Sequence, residues 1–183
     1  MRVLVACEFS GIVREAFRTR GHDAVSCDLL PTEIPGPHIR GDVTKVFCEQ
    51  WDVMLAFPPC THLAASGARW FHLKQREQAE ALKFVEILLC ATWIPKICLE
   101  NPVGIISTHL WKPTQIIQPW QFGHPETKKT CLWLKNLPSL KPTTNVVDGR
   151  YPRVHREPPS PNRWKNRSRM YQGIADAMAE QWG

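Results

Sequence analysis

The order of apolar and polar positions along the chain predicts strands that alternate with helices. Continuous apolar runs bounded by turn residues, the pattern of buried strands, occur at residues 2–7, 24–27, 52–57 and 95–101. Apolar residues at helical spacing lie between them at 12–17 and 73–90. Strands that alternate with helices usually form one mostly parallel sheet. The 183 residues therefore predict an α/β fold in a single domain, residues 1–183.

The second half of the chain shows a different pattern. Residues 115–120 and 130–134 indicate two more strands, joined by the turn Phe122-Gly123-His124-Pro125, and we expect them to form a hairpin-like edge. Residues 137–169 are rich in proline and show little periodicity, so they predict an arm that is either extended over the surface or partly disordered when unbound. A helix predicted at 170–182 closes the chain and docks an apolar face onto the sheet.

The first predicted strand, helix and strand form a βαβ unit with a tight turn at Phe9-Ser10-Gly11. In such units a ligand lies over the carboxyl ends of the strands, and an acid that closes the second strand commonly holds a ribose diol. Asp28 fits that position, and it equally fits a cap for the turn before Pro31. Asp42 has the same two alternatives, a cap for a short helix or a contact to this ligand. The turn offers one glycine where a pyrophosphate needs several close backbone approaches, so a nucleoside without phosphates is favoured.

The strand at 52–57 runs directly into Pro58-Pro59-Cys60. Consecutive prolines lack the N–H donor that a central ladder needs, so the chain leaves the sheet there. The stiff exit delivers the Cys60 thiol to the carboxyl end of the strand, where open α/β sheets carry their chemistry. The next residues, 61–67, are small and polar and predict a mobile loop.

The strand at 95–101 ends in a similar way, with Glu100-Asn101-Pro102. If it lies beside the strand that leads to Cys60, the carboxyl and the thiol share one pocket. A carboxyl at the end of an apolar strand is partly desolvated, which raises its pKa and lets it stay protonated as a hydrogen-bond donor. A helix cap is the alternative role for Glu100, and the following Asn-Pro disfavours it.

Charge is distributed unevenly along the chain. From Lys128 to Arg169, eleven lysines and arginines stand against Asp148 and Glu157, so this segment carries +9 while the remainder carries −3, for a total of +6. A one-sided basic segment is the expected footprint of a protein that meets phosphates, and its alternative is a solvated face. We expect the segment to contact nucleic acid.

The remaining composition indicates the cellular setting. No run of eighteen apolar residues and no signal-peptide pattern occurs, so we expect a cytoplasmic protein without a membrane partner. The seven cysteines include no Cys-x-x-Cys pair, which indicates a reducing compartment and disfavours a disulfide framework or a zinc ribbon. The seven histidines show no ligand spacing with the cysteines, so no metal site is predicted.

These motifs, in this order, resemble the cytosine-5 DNA methyltransferases in the reduced form that phages and prophages carry. Phe9-Ser10-Gly11 resembles the family's first cofactor motif, Asp28 the acid after its second strand, and Gly41-Asp42-Val43 its adenine-contacting motif. Pro58-Pro59-Cys60 resembles the nucleophile motif, and Glu100-Asn101-Pro102 the Glu-Asn-Val motif. The resemblance implies a Rossmann-like, S-adenosylmethionine-dependent methyltransferase sheet with helices on both faces.

The resemblance also implies roles for individual residues. Cys60 would add to carbon 6 of cytosine as the nucleophile, and Glu100 would hydrogen-bond ring N3. The residues that would hold S-adenosylmethionine are Phe9, Ser10, Gly11, Asp28, Asp42 and Pro58, and those that would contact the substrate are Pro59, Asn101, Lys128 and Lys129. The implied substrate is cytosine in DNA, flipped out of a duplex or presented single-stranded, in a bacterial or phage-infected cell.

Two parts of the family pattern are missing. The Gln-x-Arg-x-Arg motif, which supplies cations to the base and to the nucleophile's loop, has Lys128-Lys129-Thr130 as its nearest counterpart, and the basic arm at 137–169 replaces the target-recognition domain. Two alternatives therefore stay open: a C5 methylase or hydroxymethylase of free pyrimidine nucleotides, and a catalytically inactive DNA-binding remnant. An amino-group methyltransferase is disfavoured, because Phe57 and Cys60 flank the Pro-Pro pair where that class has a polar residue and an aromatic one.

Overall fold

The fold is built on one mixed β-sheet. The structure, a computed structural model, describes residues 1–47, 49–144, 146 and 149–183. These residues form the strands β1 (Arg2–Ala6), β2 (Asp23–Asp28), β3 (His38–Arg40), β4 (Val53–Ala56), β5 (Lys96–Pro102), β6 (Gln115–Ile117) and β7 (Thr130–Lys135). Their order across the sheet is β3-β2-β1-β4-β5-β7-β6. The five strands β3, β2, β1, β4 and β5 run parallel to one another. β7 runs antiparallel to both of its neighbours, β5 and β6.

Helices cover both faces of the sheet. The α-helices are α1 (Ile12–Arg18), α2 (Gln75–Leu89), α3 (Ile106–His109), α4 (Arg153–Arg156), α5 (Arg163–Ser168) and α6 (Gln172–Trp182), with 3-10 helices at Val43–Val46, Ala65–Leu73 and Pro119–Phe122. Side chains alternate along each strand, so Val3 and Val53 join one core with α1 and α6, whereas Leu4 and Met54 join a second core with α2. The predicted fold class, a Rossmann-like α/β sheet with helices on both faces, is confirmed.

Most elements match the sequence prediction, and the differences have local causes. β3 was not predicted, because three residues beside a proline-rich loop are too few to show periodicity. It pairs with β2 as an edge strand. β6 and β7 form the expected antiparallel edge. However, the predicted strand at 115–120 ends at Ile117, because Pro119 begins a 3-10 helix. Gln118 and Gln121 cap the start of this helix with a capping box.

The arm predicted at 137–169 is more structured than its composition suggests. It contains α4 and α5, and its described part contacts the rest of the chain: the Thr127 N–H donates to the Tyr151 carbonyl at 3.0 Å, and the Arg150 guanidinium lies 3.8 Å from the centre of the Trp120 ring. Residues 145, 147 and 148 of this arm, including Asp148, lie outside the described residues. The two helices are each shorter than two full turns, which is why apolar spacing does not reveal them.

The chain end docks as predicted. α6 buries Ile174, Ala177 and Met178 in the same core as Phe17 of α1. No helix among the described residues is long and apolar enough to cross a membrane.

The segment after Cys60 differs from the mobile loop predicted at 61–67. From Ala65 onward it forms a 3-10 helix that continues to Leu73. Its start is held by two backbone hydrogen bonds, from the Ala65 N–H to the Val103 carbonyl and from the Ile105 N–H to the Leu63 carbonyl, each 2.9 Å long. These bonds join the loop that leaves β4 to the loop that leaves β5.

Gly104 permits this join. A Cβ atom at position 104 would lie 1.9 Å from the Leu63 carbonyl oxygen, a separation that no side chain tolerates. The close approach of the two backbones therefore requires glycine at this position.

We expect Gly104→Ala to lower the free energy of unfolding by about 2 kcal/mol, because the new methyl group must push the two loops apart. Urea unfolding monitored by tryptophan fluorescence measures the change. Gly41→Ala is the matched control, since a Cβ there meets no atom within 4 Å. Equal stability of the Gly104→Ala and Gly41→Ala variants would show that the join is dispensable.

Candidate active site

Cys60 and Glu100 meet because their strands are neighbours in the sheet. β4 and β5 pair in parallel with Ala56 opposite Leu99, so Glu100, near the end of β5, and Cys60, in the loop that leaves β4, lie at the carboxyl ends of adjacent strands. The Asn101 amide nitrogen donates a buried hydrogen bond of 2.9 Å to the Pro58 carbonyl, which ties the two strand ends together. The structure thus places the thiol and the carboxyl in one site.

The Glu100 carboxyl is buried and incompletely satisfied. Its side chain is 8% exposed, and burial raises its pKa, which the charge of Lys128 partly opposes. Its Oε1 atom is buried without a hydrogen-bond partner in the described part of the chain, and so is Oδ1 of the neighbouring Asn101. Buried polar atoms of folded proteins are normally paired, so the unpaired Glu100 oxygen indicates a place for a polar ligand.

The Cys60 thiol lies between opposing charges. Burial is the main cause that raises its pKa, and the charge of Glu100 raises it further. Lys128 and Arg167 lower the same pKa. A neutral Glu100 would remove one of the two causes that oppose ionisation, so the protonated carboxyl and the thiolate favour each other.

Lys128 reaches the site because β7 is antiparallel to β5. Thr130 at the start of β7 pairs with Pro102 at the end of β5, so residues just before β7 lie beside the end of β5. Lys128 acts on both Cys60 and Glu100, whereas Lys129 is exposed at the surface. Of the two substrate-binding lysines that the sequence predicts, only Lys128 therefore joins the cluster. Pro58 is buried under this cluster and Pro59 is exposed.

Arg167 is a residue of the site that sequence reasoning missed. It belongs to α5 in the arm, and its backbone carbonyl accepts a hydrogen bond of 3.3 Å from Lys128 Nζ. Its Nε atom is buried and has no partner among the described residues. The sequence indicates Arg167 only as one of the basic residues of the arm and gives it no role at Cys60, because it reaches Cys60 through the docking of the arm.

The predicted cofactor residues Phe9, Ser10 and Gly11 lie in the turn after β1. Gly11 precedes α1 with a φ of 80°, and the Ser10 hydroxyl donates to Glu8 Oε1 at 3.0 Å. The same Glu8 carboxylate accepts hydrogen bonds from the N–H groups of Val13 at 2.7 Å and of Arg14 at 3.3 Å. An internal carboxylate thus occupies the first turn of α1, where dinucleotide-binding proteins place a phosphate. This arrangement disfavours a pyrophosphate ligand. Glu8, the second residue after β1, is the feature of the sequence that could have indicated it.

Phe9 lies under the arm. Its ring centre is 6.0 Å from that of Trp164, and the Lys165 ammonium lies 5.8 Å from the Phe9 ring. Phe9 is itself buried, whereas Trp164 is half exposed. Phe9, which the resemblance implies as a cofactor residue, therefore packs against α5 of the arm.

Asp28 and Asp42 gather around Cys7, the residue that follows β1. The charges of both carboxylates raise the Cys7 pKa, although burial is the larger cause. Each also has the capping role that the sequence left open: Asp28 Oδ1 accepts from the Leu30 N–H at 2.9 Å, and Asp42 Oδ1 accepts from the Thr44 N–H at 2.9 Å. Burial raises the Asp28 pKa, whereas the Thr44 hydrogen bonds lower that of Asp42. The contact to a ligand stays a prediction for both.

Comparison with known proteins gives a likeness in structure and none in sequence. No protein-family model matches the chain, and no curated protein matches it either. The structure is similar to that of a protein from E. coli described as a candidate DNA modification methyltransferase encoded within a prophage, with 13% sequence identity and a TM-score of 0.45. The match covers 73% of this chain and 46% of that chain, so this chain spans about half the length of its neighbour.

The charges around Cys60 predict that its thiol becomes more reactive when Glu100 is neutralised. Since the charge of Glu100 raises the Cys60 pKa, Glu100→Gln should lower that pKa and increase the thiolate fraction at a fixed pH. We expect iodoacetamide to alkylate Cys60 roughly threefold faster in this variant at mildly alkaline pH, with the whole pH profile moved downward. Peptide mass spectrometry measures the rate, and the exposed Cys90 serves as an internal reference. An unchanged or slower rate at Cys60 would contradict the electrostatic coupling.

Proposed function

We propose that this protein transfers a methyl group from S-adenosylmethionine to carbon 5 of cytosine in DNA through a covalent adduct with Cys60. The observation that carries the proposal is the pairing of the Cys60 thiol with a buried Glu100 carboxyl whose Oε1 has no partner in the described chain. Addition to a pyrimidine ring needs both groups, a nucleophile for carbon 6 and a neutral acid for ring N3.

The two residues share the proton that the chemistry requires. Transfer of the thiol proton to the carboxyl produces a thiolate and a neutral Glu100 together, and the raised pKa of Glu100 favours this distribution. The thiolate adds to carbon 6 while Glu100 donates a hydrogen bond to N3 and so offsets the electron density that enters the ring. Carbon 5 becomes nucleophilic and takes the methyl group. Loss of the proton from carbon 5 then expels the thiolate and restores the aromatic ring.

The residues around the turn after β1 fit an S-adenosylmethionine molecule. This cofactor supplies an electrophilic methyl group and carries a nucleoside without phosphates. Asp28 at the end of β2 suits a ribose diol, and the Phe9 ring suits contact with an apolar surface. Glu8 already satisfies the first turn of α1, so no phosphate is needed there. This donor set supports a nucleoside cofactor over a dinucleotide.

The arm supports DNA as the substrate. Lys128 to Arg169 carry a net +9, and the docked α5 lies at the edge that holds Cys60 and Phe9. A basic segment beside the nucleophile suits a polynucleotide backbone more than a free nucleotide, which carries a single phosphate group. The absence of a recognition domain in the sequence leads us to propose low sequence selectivity, with single-stranded DNA accepted.

A labelled-methyl assay tests the proposal. We expect transfer to cytosine in single-stranded DNA, and we expect Cys60→Ser to reduce it at least about a hundredfold because the alcohol is far less ionised than the thiol. Cys90→Ser is the matched control, since Cys90 is exposed on the chain and lies outside the site. A DNA oligonucleotide that contains 5-fluorocytosine should trap a covalent adduct at Cys60, because fluorine cannot leave as the ring proton does.

The same assay separates the alternatives. Label that enters dCMP and not DNA would favour a methylase of free nucleotides. Incorporation into dCMP of carbon from a labelled formaldehyde-level donor, and not from S-adenosylmethionine, would favour a hydroxymethylase. Salt-dependent DNA binding without any product or adduct would favour an inactive remnant. Wild-type labelling by Cys60→Ser would remove Cys60 from the mechanism.

A further inference from the structure

One of the two cations that act on the nucleophile belongs to the arm. Arg167 in α5 acts on the Cys60 thiol together with Lys128, and Lys128 Nζ donates a hydrogen bond of 3.3 Å to the Arg167 backbone carbonyl, which ties Lys128 to α5. The groups that act on Cys60 therefore come from three elements: Glu100 of β5, Lys128 before β7 and Arg167 of α5. The buried, unpaired Nε of Arg167 keeps a donor available in this site.

A second contact holds α5 to the cofactor side of the edge. The Arg169 guanidinium donates two hydrogen bonds to the Glu33 carboxylate, from Nε at 2.7 Å and from a terminal nitrogen at 2.6 Å. This paired geometry is the strong form of an arginine–carboxylate contact. Arg169 follows Arg167 by two residues, so the ion pair anchors the segment that carries Arg167.

Glu33 is in turn fixed to the turn after β1. Its N–H donates to the Phe9 carbonyl at 2.8 Å, and the neighbouring Ile34 N–H donates to the Ser10 carbonyl at 3.3 Å. The fully buried Arg14 side chain holds the Ile34 carbonyl from below. The loop that carries Glu33 is therefore part of the wall around Phe9 and Ser10.

We infer that the docked arm is a working part of the active site: Arg167 supplies a cation beside Cys60, and the Glu33–Arg169 ion pair holds it there, which couples the cofactor-side wall to the nucleophile. If the Glu33 loop is displaced, Arg167 moves away from Cys60. Of these two cations, only Lys128 then still acts on the thiol, against the charge of Glu100. The consequence for methyl transfer rests on the function proposed above. The effect on the thiol itself does not.

Alkylation of Cys60 by iodoacetamide tests this inference without substrate or cofactor. We expect Arg167→Gln to slow Cys60 alkylation roughly fivefold at a fixed pH and to move the pH profile upward, because a cation that favours the thiolate is lost. Arg167→Lys retains the charge and should restore most of the rate. Glu33→Ala and Arg169→Ala should each slow alkylation by a similar, smaller factor, and their double variant should match either single one.

The controls separate this effect from unfolding and from general charge loss. Arg20→Gln removes the same charge from the opposite edge of the sheet, where Arg20 pairs with Glu180, and should leave the Cys60 rate unchanged. Buried Cys98 and Cys131 report the fold, since they react only if the chain opens.

The outcomes are distinct. A wild-type rate in Arg167→Gln overturns the inference, and a wild-type rate in Glu33→Ala overturns the role of the ion pair. If the wild-type protein transfers no methyl group but Cys60 alkylation still depends on Arg167 and Glu33, the proposed function fails while the coupling stands.

Discussion

The hydrogen bond from the Asn101 amide to the Pro58 carbonyl is the constraint on which the rest of the site depends. Two prolines end the ladder of β4 and leave a buried carbonyl without a strand partner. Leaving such a group unpaired costs about 1–3 kcal/mol, and Asn101 at the end of β5 satisfies it. The bond fixes both strand ends in one geometry, so the thiol and the carboxyl that flank it have fixed positions. Further from the strands, Gly104 permits the close approach of the backbones and so the hydrogen bonds that join the two following loops.

Burial and charge then act on these two groups in opposite directions. An isolated thiol and carboxyl at a buried edge would both stay protonated, because desolvation raises both pKa values. Lys128 offsets this for both, and Arg167 offsets it for the thiol. The cations therefore reduce the cost of a negative charge in the site, and two of them act on sulfur whereas one acts on the carboxyl. A reaction that begins with a thiolate and a neutral acid needs this distribution.

Residues whose neighbours are set by sheet order could be predicted from the sequence. Cys60 and Glu100 each follow an apolar run, with Pro59 directly before Cys60 and Pro102 two residues after Glu100, and adjacent parallel strands bring such residues together. Asp28 and Gly11 were recognisable for the same reason. Arg167 could not be predicted, because its position depends on α5 docking through contacts between residues more than a hundred positions apart, such as Glu33 and Arg169. Lys129 was indistinguishable from Lys128 by sequence, since consecutive side chains alternate and only the register of β7 on β5 decides which of the two faces inward.

The carboxylate of Glu8 has a consequence for the life of the free protein. Because Glu8 bonds the N–H groups of Val13 and Arg14, α1 begins on a terminus that the chain itself completes. The other donors of this first turn are satisfied from within the chain as well, since the Ile12 N–H donates to the Ser10 hydroxyl and the Glu15 N–H to the Gly11 carbonyl. The start of α1 therefore needs no ligand to complete its hydrogen bonding, and the helix can form in the free protein.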